Sequence, residues 1–441
     1  MRSALDAAAP MVGLGLALGL FACLDHTKAS LKATSAQEHN TDAANQPGSR
    51  RTLIEVLTWW RAPGEAEALQ ALIDEHRTTH FGARIFNDVA DSGGAASEEL
   101  EMRIPLGDIP DVILRPYGHD LREFLRRHPG GLETLDDFFK NLGLDAGSMS
   151  EVIPEAIVEA SDHGHIYAVP VDLHRENVLF FNKRIFAERH LQPPSSIAEL
   201  LELCRTLKAA GVVPIATSSQ GWILRIMFSS IAAGVMGSKN YHDYFTGQSD
   251  LPQPSLRQAI VVFADLLKNY INPDADEEGF GWTNAVQAVM TGEAAMLFHG
   301  DWAKGYLVQT GAVPDVDFGM AGSPGATDLF LYGADLLSIP TGAANSQGAR
   351  EFLATAVSRA GQAKFNRLKG SSPFRSDMSP GMLDPLGQAM LEDLKHARYR
   401  MVFPNRRAWD EAMASFARTR DAAALFKSFT DNPPRAADRD D

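Results

Sequence analysis

Cysteine is scarce in this sequence: there are two in 441 residues, Cys23 and Cys204. They could make one disulfide at most, and Cys23 has another explanation below. Cys204 lies in the helical pattern AELLELCRTL (198–207) and reads as a small buried helix residue with a free thiol. Positive charge is also short. Lys and Arg total 41 against 56 Asp and Glu, a net charge of -15. A surface that acidic repels phosphate backbones, which excludes nucleic acid as a partner. Enzyme signatures are missing: there is no G-x-S-x-G, no H-E-x-x-H and no phosphate loop in the chain beyond residue 23. His163 and His165 flank Gly164 in a turn-like stretch and lack Cys, His or Asp partners at ligand spacing, so no metal site is expected. No internal repeat of fixed period occurs. What remains is ordinary globular composition, with 45% hydrophobic and 22% charged residues. The length exceeds one ordinary domain and suits two lobes.

Long apolar runs are limited to Ala7–Ala22, which is short for a membrane span and suits a signal-peptide core behind Arg2. It ends LFAC (20–23), which resembles a lipobox, where a small residue precedes a cysteine that is lipidated and becomes the new N-terminus. Residues 24–51 are polar and aperiodic and read as a flexible tether. A domain tethered outside the inner membrane has no ATP or reduced nicotinamide there, so no cofactor is expected.

Beyond the tether, strand and helix patterns alternate. LIEVLT (53–58) is rich in strand formers, and EAEALQALIDE (65–75) carries Leu69, Leu72 and Ile73 at helical spacing. PDVIL (110–114), VLFF (178–181) and AAMLF (294–298) read as further strands. SDHGHIYAVP (161–170) reads as a turn entering a strand, with helices near 185–188 and 197–210. This alternation implies α/β layers with mainly parallel sheets.

Trp59 and Trp60 follow the first strand and precede a helix. In open α/β sheets the ligand crevice lies beyond the carboxyl ends of the strands. An indole face is a platform for the C–H face of a sugar ring, and its N–H can donate a hydrogen bond. Glu65 opens the following helix. It either stabilises the helix N-terminus or accepts hydrogen bonds from sugar hydroxyls.

Four stretches, taken in order, carry a family resemblance: LTWWRAPGE (57–65), YAVPVDLHRENVLFFNK (167–183), GEAAMLFHGDWAKG (292–305) and GQAKFNRLKGSSP (361–373). With them the chain from about Leu53 to Arg375 resembles family-1 extracellular solute-binding proteins of bacterial ABC sugar importers, nearest the glucose/mannose-binding branch. The resemblance implies an α/β, two-lobed periplasmic-binding-protein fold of type II with the ligand cleft between the lobes. Its implied boundaries are residues 1–23 for the lipoprotein signal peptide and 24–51 for the tether. Lobe 1 would take 52–168 plus 326–372, and lobe 2 would take 169–320 plus 377–441. The hinges would fall near 168–172, 320–326 and 372–376.

Carried over position by position, the resemblance makes Trp59, Trp60 and Glu65 the ligand loop of the first lobe. It places His174 and Arg175 just past the first hinge, and Trp222 and Trp302 as stacking aromatics of the second lobe. Asp335 and Lys369 would present polar groups to the cleft, and Asn405 falls where the branch often has a ligand histidine followed by Gly. The chain departs from the glucose pattern at Leu114-Arg115-Pro116, where many relatives carry Gln and then Lys or His, and again at Asn405. These departures put glucose itself in doubt. Asp301 reads as a helix N-cap, and Arg175 has a hinge salt bridge as its alternative. Trp282 reads as packing at a helix start, and Trp409 as packing near the end.

The implied function is capture of a glucose-like monosaccharide or short oligosaccharide outside the cytoplasmic membrane and delivery to an ABC permease. The protein would be a monomer in the periplasm or at the cell surface, anchored by lipid on Cys23. Two alternatives compete: a lipoprotein sensor or scaffold without a transport role, and a glycan-cleaving enzyme with Glu65 and Asp335 as its acid pair.

Overall fold

The computed structural model describes residues 53–144, 152–250, 253–379, 381–403 and 406–431. Cys23 and Asn405, and with them the lipid anchor and the last implied ligand position, lie outside the described residues.

Two sheets organise two apolar cores. The first has the strand order Arg84–Val89, Leu53–Thr58, Val112–Pro116, Asp335–Ser338, Ala168–Pro170. The second has the order Phe318–Gly322, Val178–Asn182, Ala294–His299, Val213–Ala216. Helices cover both, as the alternating pattern requires. In the second sheet, Leu179 and Phe181 enter one core cluster while Val178 and Phe180 enter another. Successive side chains of a strand point to opposite faces, so this sheet is buried on both.

The sheets are mixed, which corrects the expectation of mainly parallel pairing. Leu53–Thr58 runs parallel to both its neighbours. Asp335–Ser338, however, lies antiparallel to Val112–Pro116 and Ala168–Pro170, and Val178–Asn182 lies antiparallel to both its partners. These antiparallel strands are the ones the chain uses just before or after it crosses between the cores, and a crossing strand enters its sheet from the other side.

A third, three-stranded sheet joins the lobes, in the order Tyr399–Val402, Leu329–Gly333, His174–Arg175. Its central strand divides its side chains: Leu329 and Leu331 belong to the second core, Phe330 and Tyr332 to the first. The chain passes from the first core to the second between Leu173 and Val178, and returns along Leu329–Gly333, whose side chains serve both. The last passage comes later than the residues near 372–376. Phe374 is buried in the first core, Ile153 N–H donates to its carbonyl, and Leu173 pairs with Ser372. Leu383, Leu391 and Leu394 also pack into the first core, and the second regains the chain at Met401. Backbone pairing thus holds 372–375 to the first lobe.

Trp409 is 1% exposed and stacks on Phe429 at 3.8 Å, as expected of a packing residue. Cys204 is buried and free, and burial pushes its thiol up to about 12, which makes it inert. Among the described residues, no single helix is long and apolar enough to cross a membrane.

Candidate functional site

His174 sits on the short joining strand, and the polar site is built around its ring. The ring nitrogen Nδ1 is 2.5 Å from Asp301, and Nε2 is 3.0 Å from Asp172 and 3.5 Å from Asp335. Burial acts to lower its pKa, but the Asp172 and Asp301 carboxylates overcome this and hold it well above the ordinary histidine value. His174 is therefore a buried imidazolium with a carboxylate on each side.

The first lobe extends this group. Lys369 Nζ donates to Glu65 at 3.3 Å and lies 3.5 Å from Asp335. Burial opposes the Lys369 charge, but Glu65 and Asp335 raise its pKa above the ordinary value. Asp335 is buried too, yet Lys369 and His174 hold its carboxyl below the usual range. Trp60 Nε1 donates to Asp335 at 3.2 Å. Asp172 accepts from the Asp335 backbone N–H at 2.9 Å, and burial pushes its own carboxyl up.

The second lobe supplies the aromatic side. Trp302 meets His174 edge-on at 4.9 Å and lies 6.0 Å from Trp222. His299 stands 5.1 Å from Trp302 and 5.3 Å from Trp282. Burial lowers the His299 pKa to about 4, so it is neutral there. Gly300 makes this arrangement possible, because a Cβ at that position would lie 1.9 Å from the Trp302 ring. The lobes touch beside it: a Cβ on Gly305 would stand 2.4 Å from the Lys369 carbonyl oxygen, and one on Gly64 2.8 Å from the Gly305 backbone.

The structure thus brings Trp60, Glu65, His174, Trp222, Trp302, Asp335 and Lys369 into one neighbourhood, with three corrections. Trp60 is not an open stacking wall. It is 1% exposed and packs on Phe365 at 5.1 Å, so its contribution is to hold Asp335. Its neighbour Trp59 is half-buried and packs against the first core, near Gly93 and Pro116. Arg175 turns away from His174, as alternation along a strand demands. Its guanidinium donates to Asp393 at 2.6 Å and lies over Phe330, so it makes a salt bridge at the joining strand. Asp301 precedes a helix but makes no side-chain cap. Its carboxylate accepts from His174 and from the Arg175 N–H at 2.7 Å, which ties the Trp302 helix to the joining strand.

Sequence reasoning missed Asp172 and a second polar cluster around Glu176. Tyr117 hydroxyl donates to Glu176 Oε1 at 2.7 Å, Arg406 donates to the same oxygen at 2.7 Å, and Arg225 donates to Oε2 at 2.9 Å. The Arg406 guanidinium lies 3.1 Å over the Tyr117 ring. The signal was weak: Asp172, His174 and Glu176 alternate, but the charged Arg175 stands between them and no single polar face is marked.

Asp172, His174 and Asp335 offer ligand atoms within 4.8 Å of one another. The Lys369 ammonium already stands among them, and a fixed cation at that distance repels a metal ion.

The profile of the bacterial extracellular solute-binding proteins matches residues 62–363. The chain belongs to this family. The solute-binding protein is 29% identical over 351 residues to a probable sugar-binding periplasmic protein of Brucella suis, covering 78% of this chain and 80% of that one. It is 25% identical over 356 residues to the xylose/arabinose-binding protein XacG of Haloferax volcanii, covering 77% and 73%. Among solved structures, its fold matches the bacterial solute receptor AcbH, described as exclusive for β-D-galactopyranose, with a TM-score of 0.72 at 16% identity, covering 86% of this chain and 96% of that one. RafE in complex with raffinose gives 0.67 at 17% identity, covering 86% and 98%. The two-lobed type II fold is therefore the fold of this solute-binding protein, and its family is one of binding proteins rather than enzymes.

Proposed function

We propose that this protein captures a sugar between its lobes and hands it to the permease of an ABC importer, as a monomer held at the membrane by lipid on Cys23. The observation that carries the reading is the pairing, across His174, of the Trp222–Trp302 aromatics with the Asp335–Lys369–Glu65 group. Indole faces offer apolar area to the ring carbons, and buried, ionised polar groups fix hydroxyl positions. The names of the relatives support the same class of ligand. Glu65 and Asp335 do not suit a glycosidase pair. Lys369 and His174 hold the Asp335 carboxyl below its usual range, and Lys369 ties up Glu65 as well, whereas the pair needs a free general acid that keeps its proton. Capture by lobe closure requires the sugar to prefer the closed form.

A thermal-shift screen of the purified chain against monosaccharides and disaccharides tests the reading. The cognate sugar raises the melting temperature with concentration, because a ligand of the native state stabilises it by mass action. No shift with any sugar, at concentrations well above those typical of such proteins, overturns it.

A further inference from the structure

The cluster around Glu176 leaves donors unused. Both Glu176 oxygens are taken, Oε1 by Tyr117 and Arg406 and Oε2 by Arg225. Nη1 of Arg406 and Nη2 of Arg225 are buried with no hydrogen-bond partner. The second partner of Arg225, Asp410, has a side chain 33% exposed, so two buried guanidiniums face one buried carboxylate. Burial draws Arg406 down to about 9, which still leaves it charged at neutral pH. A guanidinium can only donate, and a buried donor without an acceptor is costly.

The position of this cluster matters as much as its chemistry. Glu176 lies two residues beyond His174, just past the joining strand His174–Arg175 and about 7 Å along the chain at most, so one ligand can reach both groups. Tyr117 comes from the end of the first-lobe strand that pairs Pro116 with Asp335, and Arg406 and Arg225 come from second-lobe helices. The departures from the glucose pattern border both members of the stack: Arg115 and Pro116 precede Tyr117, and Asn405 precedes Arg406.

We propose that the ligand is an acidic sugar, its ring between Trp302 and the Asp335–Lys369–Glu65 group and an anionic, acceptor-only substituent received by Arg406. The inference rests on the sugar reading above. An ionised carboxylate accepts without donating and gives the free nitrogen a charge-assisted bond, whereas a hydroxyl offers it only a neutral acceptor. A sugar phosphate has the same acceptor-only character.

Calorimetric titration of the purified chain at low salt decides it, with glucose, galactose and mannose, the uronates of each, and glucose 6-phosphate. At least one acid should bind about tenfold or more tighter than its parent hexose, with an advantage that shrinks as salt rises. A preference for uronates assigns a carboxylate, and a preference for glucose 6-phosphate assigns a phosphate. In Arg406→Gln the acid-to-neutral ratio should fall to about one, and in Arg406→Lys it should lie between. Should the Gln variant fail to fold, the wild-type panel and the Lys variant decide. Neutral hexoses binding as tightly as every acid overturn the proposal and leave the sugar reading intact, as does an unchanged ratio in Arg406→Gln. No binding by any sugar, neutral or acidic, overturns both.

Discussion

The His174 group and the Glu176 group are centred two residues apart, at and just past one joining strand, but have opposite needs. Around His174, four carboxylates, Glu65, Asp172, Asp301 and Asp335, stand against two cations, His174 and Lys369. Around Glu176, both oxygens of the one buried carboxylate accept from arginines and two guanidinium nitrogens are left without a partner. The first group has an excess of acceptors and the second an excess of donors. The difference lies in which lobes contribute. Carboxylates come mainly from the first lobe and the joining strands, while the arginines come from second-lobe helices. The two groups together are thereby polar in a direction, with surplus acceptors on one side and surplus donors on the other.

The largest test of this contrast is stability. His174→Ala leaves Asp172, Asp301 and Asp335 buried without their common counter-ion, and breaking a buried ion pair costs about 3–5 kcal/mol. Arg406→Gln should cost less, about 1–3 kcal/mol, since Arg225 and Tyr117 still serve Glu176. Urea unfolding of both variants and of the double variant measures the difference. If the groups act independently, the double loss equals the sum within about 0.5 kcal/mol, and a larger discrepancy means that they form one network.

The next effect is on affinity. Trp302→Ala should weaken ligand binding about tenfold to a hundredfold, because burying an aromatic is worth about 1.5–3 kcal/mol and about 1.4 kcal/mol is tenfold. Trp409→Ala removes an indole from a packed core, so its loss appears in unfolding and not in binding. Calorimetry and urea titration on both variants show whether the two losses separate in this way.

A smaller effect is the pH dependence of stability. The folded pKa of His174 is raised above its unfolded value, so its contribution is complete below about pH 6.5 and is lost as pH rises through the folded pKa. Urea midpoints should therefore decline on the alkaline side in the parent and decline less in His174→Gln. A steeper decline in the variant would mean that another group carries the dependence.

The smallest effect belongs to Arg175→Gln. Its side chain lies on the far face with Asp393, so affinity should change by no more than about twofold, while stability drops. A tenfold loss of affinity would show that this salt bridge controls lobe closure.

The site was partly legible from residue types in order. Trp222, Trp302, Asp335 and Lys369 could be placed through the family resemblance, and all come to one neighbourhood. The role of Trp60 was not legible. An indole after a strand reads the same whether it faces a cleft or Phe365, and only packing distinguishes the two. Arg175 and Asp301 were misread for a related reason: each has a local partner in principle and a distant one in fact, Asp393 and His174 respectively.

By itself the sequence determined the alternating α/β layers and the apolar strands that form both cores. Those follow from local periodicity and side-chain burial, which neighbouring residues dictate. Only the tertiary structure decided that Asp301 closes onto His174, that the last crossing between cores comes after Leu394, and that Arg406 stacks on Tyr117 over a separation of nearly three hundred positions. Long-range charge pairing depends on which backbone segments meet when the lobes assemble, and no local pattern encodes that meeting.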